Sequence, residues 1–263
     1  MTDSASPPWT PSPFLRWSTA VHLACLGAAL VRPGTRPWAT RIVAANQLLI
    51  STAGLWPRSQ LLGPNLTRLP PSPTPRVALT FDDGPDPAVT PAVLELLGER
   101  DIRASFFLVG QRALAHPELV HSLVERGHRV ENHTFHHSHR FAFHGPQGLG
   151  LEIQRAQDVL TELTGRAPTH FRAPAGMRNP FVDPVLHRLG LRLVSWTRRG
   201  FDGVDRDPDA VVRRLIHHLG DGDILLLHDA HGPRTHSGVP VILETLPRVL
   251  DALDAQGLTT TLL

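Results

Sequence analysis

The chain of 263 residues contains no lysine, so all 26 of its basic side chains are arginine, and the formal net charge is only +2. The arginines are scattered, with no long basic run and little aromatic interleaving, which excludes the basic stripe of a nucleic-acid-binding surface. Cysteine is nearly absent too. Cys25 stands alone, which excludes an internal disulfide and any cysteine-built zinc site, and leaves the redox compartment open. A bound metal would have to use His, Asp or Glu. There is also no apolar run of the roughly 20 residues that a spanning helix needs. The two longest, WSTAVHLACLGAALV at 17–31 and IVAANQLLISTAGLW at 42–56, each reach 15 residues.

What the chain has in abundance is histidine, 16 in all, five of them within ENHTFHHSHRFAFH at 131–144. Density alone does not separate ligands from surface residues, so the surrounding pattern has to decide. Residues 1–75 differ from the rest. A Pro-rich opening, SPPWTPSP, precedes the two apolar runs, an Arg-bearing break RPGTRPWATR separates them, and LPPSPTP at 69–75 follows as a linker that can continue neither helix nor strand. The first run has little positive charge before it and no clean cleavage site after it, unlike a signal peptide. The expected arrangement is an apolar helical hairpin, with extensions to Phe14 and Leu62 giving it length for membrane association over residues 14–62. The other possibility is two helices packed on the following domain. In a membrane hairpin, Arg32, Arg36 and Arg41 in the connecting loop would favour the cytoplasmic side and leave the C-terminal domain outside the cytoplasm, although Arg16, Arg58 and Arg68 oppose that orientation.

From residue 76 the rhythm changes. RVALTF, ASFFLVG, HRVENH, HFRAP, LRLVSW, DILLLHD and LTTTLL read as seven strands, separated by amphipathic stretches such as TPAVLELLGER, with Thr90 as N-cap and Pro91 at the first helical position, PELVHSLVERG, DPDAVVRRLIHHLG and VPVILETLPRVLDALDAQG. Strand–helix alternation predicts a parallel α/β architecture, a closed or incomplete barrel spanning 76–263. In such folds reactive groups gather at the C-terminal ends of the strands. Asp82 and Asp83, His133, Arg172 and His228 all fall there. Adjacent aspartates repel unless a cation or proton intervenes, and Gly84 and Pro85 let the chain turn and aim them apart; a plain polar turn is the alternative. His133 and His137 could face one point if the chain continues as a helical turn, with His136 a geometric competitor. With a strand-end Asp they would supply three ligands and leave a position for water, the pattern of a catalytic zinc site.

TFDDGP at 80–85, HTFHH at 133–137, RAPAG at 172–176 and LLH at 226–228 occur in the order and approximate spacing of the polysaccharide deacetylases, the NodB-homology group or carbohydrate esterase family four, which the chain resembles over residues 76–263. The resemblance implies a distorted (β/α) barrel of about seven strands and metal-dependent removal of an acetyl group, N-acetyl in preference to O-acetyl, from an acetylated glycan or glycolipid. It implies Asp83, His133 and His137 as ligands of a divalent metal, zinc foremost, with Asp82 as general base and His228 as the acid for the departing amine. Arg172 would grip Asp82 in a bidentate fork, the backbone N–H near Ala175 would serve the oxyanion, and Leu226 would line the acetyl-methyl pocket.

Two positions depart from the family pattern. Ala175 replaces a frequent aromatic residue and opens the sugar subsite. Arg199 stands where an Asp ordinarily partners the catalytic histidine, so Asp202 or another acid is expected to take over that role. His136, His139 and His144 match no required position, while His116, His121, His217 and His218 fall on expected helices and face solvent. Trp196 reads as core or pocket wall, and Asp229 and His231 stand close enough to His228 to tune it. A non-catalytic carbohydrate-binding barrel is the main alternative. A glycosidase built on Asp82 would not need the histidines.

Overall fold

The computed structural model describes residues 8–263; Ser6 and Pro7 of the Pro-rich opening lie outside the described residues. Two long helices, α1 (Pro13–Val31) and α2 (Arg36–Leu55), form an antiparallel hairpin. The break between them is shorter than expected. Arg36 and Arg41 lie inside α2, because Pro37 is tolerated in a first helical turn, and α2 ends at Leu55 ahead of Pro57 without continuing to Leu62. The hairpin seam is built of small and polar side chains, and its large apolar side chains face outward. Ser18, Cys25, Ala39, Asn46 and Ala53 are buried, whereas Trp17, Leu23, Leu26, Leu30, Trp38, Leu48 and Leu49 are exposed. Asn46 Nδ2 donates to Ser18 Oγ at 2.7 Å, and His22 contacts both Asn46 and Gln47.

The rest is a parallel sheet curled into an open barrel. Its elements run β1 (Arg76–Asp82), α3 (Thr90–Gly98), β2 (Ser105–Leu108), α4 (Gly110–Ala115), α5 (Pro117–Glu125), β3 (Arg129–Asn132), α6 (Pro146–Thr164), β4 (His170–Phe171), α7 (Val182–Arg188), β5 (Arg192–Leu193), β6 (Arg198–Arg199), α8 (Pro208–Ile216), β7 (Ile224–His228), α9 (Val241–Ala255) and β8 (Thr259–Thr260). The strand order is β5-β4-β3-β2-β1-β7-β6, with β8 paired to the start of β1. Each of the seven strand-like runs contains a strand. The short β6, two arginines long, is additional and is recruited by pairing with β7 at Leu225 and Leu226. Thr90 is not the N-cap of α3. Val89 takes that position, and the Thr90 hydroxyl turns inward to accept from Asp86 N and donate to Asp229.

Residues 57–69 pack into the barrel. Leu66 N–H donates to Leu193 O, Ser195 N–H donates to Leu66 O, and Leu69 N–H donates to Gly222 O. This segment therefore bridges the β5 edge and the chain entering β7, and Leu66 and Leu69 join Ala78, Phe107, Val194, Trp196 and Leu226 in the interior cluster. A larger core between sheet and helices includes Leu79, Phe81, Phe106, Leu108, Leu225 and Leu246. Because β1, β3, β4 and β7 run in parallel, their C-terminal ends open on one rim.

Candidate active site

The end of β1 delivers two carboxylates in different directions. Asp82 is the last strand residue, while Asp83 takes a left-handed backbone conformation (φ 75°), so the turn starts at the second aspartate. Gly84 is required next because any Cβ there would run into the Asp229 carboxylate. His133 and His137 are brought to Asp83, but by a route other than the expected helical turn. Residues 134–138 are irregular, and positive φ at Thr134 (66°) and His137 (54°) folds the chain back on itself. Asn132 Oδ1 accepts from Thr134 N and the Thr134 hydroxyl accepts from His137 N, which holds this shape.

Asp83 Oδ1 lies 3.3 Å from His133 Nε2 and 3.1 Å from His137 Nε2, and the three ligand atoms fall within 4.8 Å of one another. His133 Nδ1 donates to Arg172 O at 2.8 Å, which orients the ring so that Nε2 faces Asp83. Burial works to raise the Asp83 pKa, but the His133 hydrogen bond and charge, aided by His228 and His137, hold it well below the usual carboxylate range. Burial and the charge of His133 push His137 down to about 4, so its imidazole is neutral at pH 7. Burial opposes charge on His133 as well, yet Asp82 and Asp83 together raise its pKa. This corner draws positive charge, and its two imidazoles and one carboxylate suit a divalent ion with an open coordination position.

Arg172 is fully buried and stacks over the Phe107 ring at 4.1 Å. Its Nη1 donates to Asp82 Oδ1 at 2.6 Å and to the Thr80 hydroxyl at 2.9 Å, while Nη2 donates to Ser195 O at 3.0 Å. The expected bidentate fork on Asp82 is therefore a single-point contact, because the second nitrogen is used to satisfy a buried carbonyl. That leaves Asp82 Oδ2 without a hydrogen bond among the described residues, 3.8 Å from His133 Nε2.

His228 closes β7. Its Nδ1 lies 3.0 Å from Asp202 Oδ1, and Asp202 Oδ2 accepts from His228 N at 2.7 Å. Burial alone would lower the His228 pKa, but the Asp202 charge and hydrogen bond, with Asp82 and Asp83 behind them, outweigh it and the imidazole is pushed up to about 9. Arg199 has no hydrogen bond or ion pair with either residue among the described residues, and its guanidinium lies 5.4 Å from the Trp196 ring and 4.8 Å from the Phe201 ring. Asp229 points into the core, where Thr90 donates to it at 2.6 Å and burial pushes its carboxyl up to about 7.

Asp82, Asp83, His133, His137 and His228 all line one cavity of about 1050 Å³, as do Ala175, Trp196, Leu226 and Arg199. Ala175 adopts φ 53° at the rim, and Leu226 forms part of the floor, 2 % exposed. The cavity also takes in Gln111, Arg112, His116, His136, His139 and His231. Of these His116 and His139 had read as ordinary helix or loop residues, and Gln111 and Arg112 carried no motif. Arg112 contacts His231 within that lining. His136 is anchored to Glu152 at 2.6 Å and does not join the Asp83 cluster.

Fold and site together define an open parallel (β/α) barrel with a candidate one-metal centre and separate acid and base candidates at the strand rim. The polysaccharide deacetylase family model matches residues 70–194. A chitooligosaccharide deacetylase from Azorhizobium caulinodans is 34% identical over 188 residues, covering 69% of this chain and 89% of that protein. The peptidoglycan-N-acetylglucosamine deacetylase PgdA of Listeria monocytogenes is 34% identical over 156 residues, 59% of this chain but only 33% of the relative. Among solved structures, a family 4 carbohydrate esterase from Streptomyces lividans in complex with acetate aligns at a TM-score of 0.64 and 33% identity, over 71% of this chain and 91% of that one. The chain belongs to the polysaccharide deacetylase family. A CE4 family pseudoenzyme from Bacillus anthracis shares the fold alone, at a TM-score of 0.67 and 21% identity over 76% of this chain and 67% of that one, so the weight of a catalytic reading falls on the site residues.

Proposed function

We propose that this protein is a metal-dependent carbohydrate deacetylase that hydrolyses the N-acetyl amide of an acetylated sugar. The observation that carries the reading is the convergence of the Asp83, His133 and His137 ligand atoms beside an Asp82 oxygen without a hydrogen bond among the described residues and a His228 paired with Asp202. The chitooligosaccharide and N-acetylglucosamine deacetylases among its relatives support N-acetyl over O-acetyl.

Asp83, His133 and His137 would hold the divalent ion, zinc on the basis of their nitrogen and oxygen donors. When bound, that ion supplies Lewis acidity to the acetyl carbonyl and a water of lowered pKa. Asp82 takes the proton of the attacking water on Oδ2, while Arg172 and Thr80 keep the carboxylate in place through Oδ1 and the guanidinium. As the carbon–nitrogen bond breaks, His228 gives its proton to the leaving amine and acetate remains. Asp202 stabilises the charged imidazole and so fills the role left by Arg199. The backbone N–H near Ala175 serves the oxyanion and Leu226 borders the acetyl methyl. A glycosidase reading leaves the two imidazoles at Asp83 without a task. Acetate release without new reducing ends from N-acetylated oligosaccharides would support the deacetylase, and new reducing ends without acetate would reject it.

The N-terminal hairpin anchors the protein in a lipid bilayer. α1 is the one described helix long and apolar enough to cross a membrane by length and composition. The hairpin turns Ser18, His22, Asn46 and Gln47 toward each other and large apolar side chains outward, an order unfavourable in water and favourable in lipid. At 1.5 Å per residue both helices are about 30 Å long, matching the hydrocarbon core. Arg32 and Arg36 at the tip, with Arg41 further along α2, favour the cytoplasmic side for the tip against the opposing Arg16, Arg58 and Arg68, and the catalytic domain then lies outside.

A further inference from the structure

The hairpin is rooted on the wall of the cavity. Where α2 ends, Gly54 O accepts from Arg178 N at 3.0 Å and Pro57 O accepts from the Ser195 hydroxyl at 2.5 Å. Gly176 packs so closely on Pro57 and Trp196 that an added Cβ would lie 2.6 Å from each. Gly176 and Trp196 are themselves cavity-lining residues, as is Ala175 between Pro174 and Gly176. The start of α1 is tied nearby, with Trp9 Nε1 donating to Asp183 at 2.7 Å and Ser12 donating to Leu61 O at 2.5 Å. With the hairpin in a bilayer, these roots lie at headgroup level, and the Ala175–Trp196 side of the cavity is held at the membrane surface. A sugar carried on a lipid is delivered to that place; a polymer in a distant wall layer is not.

A second observation concerns charge. Arg112 and Arg199 line the cavity and neither has a carboxylate partner among the described residues. The Arg199 Nε is buried with no hydrogen-bond acceptor among the described residues, and its guanidinium lies near the Trp196 and Phe201 rings. A partly buried, unanswered guanidinium favours an anion, and phosphate matches its donor geometry. A neutral N-acetylated oligosaccharide offers none.

We propose that the substrate is an N-acetylated sugar joined to a membrane lipid through a phosphate, taken from the bilayer surface beside the hairpin, with Arg199 and Arg112 meeting the phosphate. This rests on the deacetylase reading above. The test uses the full chain reconstituted in phosphatidylcholine vesicles and three probes at equal bulk concentration: a polyprenyl-phosphate-linked N-acetylglucosamine in the same vesicles, soluble N-acetylglucosamine 1-phosphate, and N-acetylchitotetraose. Acetate release from the lipid-linked sugar should be faster than from either soluble probe by about 100-fold or more, the gain expected when enzyme and substrate share one surface. Arg199→Ala should lower kcat/KM on the lipid-linked sugar by about tenfold or more, and on the tetraose by less. The proposal is overturned if the tetraose is as good a substrate, or if Arg199→Ala penalises all probes equally. Equal rates on soluble and lipid-linked phosphosugars would overturn its membrane half. No acetate from any probe would remove the deacetylase reading itself, and this inference with it.

Discussion

Replacing Asp202 with Asn probes the acid directly. In the native protein the Asp202 carboxylate overcomes burial and sets His228 at about 9, so roughly 97% of the imidazole is protonated at pH 7.5 and the acid limb of the rate profile should fall only above about pH 9. Asn can keep the backbone contact to His228 N but removes the charge. Burial then dominates and the imidazole falls to about its ordinary 6.5 or below. At pH 7.5 about 9% would carry the proton, an activity loss of about tenfold, deepening by about tenfold per pH unit up to the native limb. Stability gives a second readout. A raised histidine pKa contributes stability that is complete below pH 6.5 and is lost as pH rises through about 9, on the order of 3 kcal/mol for a buried pair such as this. The native melting temperature should therefore fall across pH 6.5–9 more than that of Asp202→Asn. Acetate release followed from pH 5 to 10 for both proteins decides the matter. An alkaline limb at the same pH in the two would refute the partnership.

Asp82→Asn should retain the metal and lose turnover by about 100-fold or more, whereas His133→Ala should lose both metal and turnover; elemental analysis beside a rate assay separates the base from the ligand. Gly176→Ala should destabilise the protein by about 1–3 kcal/mol in denaturant unfolding, because φ is 72° there and the new methyl meets Pro57 and Trp196. An unchanged midpoint would mean that the hairpin root is not tightly joined to the cavity wall. On intact cells, a membrane-impermeant label should modify a cysteine placed at His121, an exposed barrel position, and leave one at Gly34 in the hairpin tip unmodified. The reverse pattern would invert the topology.

The parts of this molecule legible in sequence are those governed by pattern. Apolar strand runs bounded by turns located β1, β2, β3 and β7, and strand-end polarity located Asp82, Asp83, His133, Arg172 and His228 on one rim. β6 escaped because Arg198–Arg199 has no apolar signature and becomes a strand only through its neighbour β7. The route by which His133 and His137 converge is hidden in HTFHH, because nothing there announces two non-glycine residues at positive φ. Asp202 could be named only as the nearest acid, as its approach to His228 depends on how the β6–α8 loop folds. The single-point grip of Arg172 on Asp82 was equally hidden, because the Ser195 carbonyl that takes its second nitrogen is brought by a different strand connection. LPPSPTP at 69–75 reads as a linker, yet Leu69 packs with Leu66 in the barrel interior, a place given by backbone bonds to Leu193, Ser195 and Gly222 that no local pattern announces.

The most direct test of the account is acetate release by the purified full chain from an N-acetylated glycan before chelation, after removal of metal, and after return of zinc. The account expects release that stops on chelation, returns with zinc, and is accompanied by one free amine per acetate. Full activity in the metal-free protein, or reducing ends appearing without acetate, would contradict it.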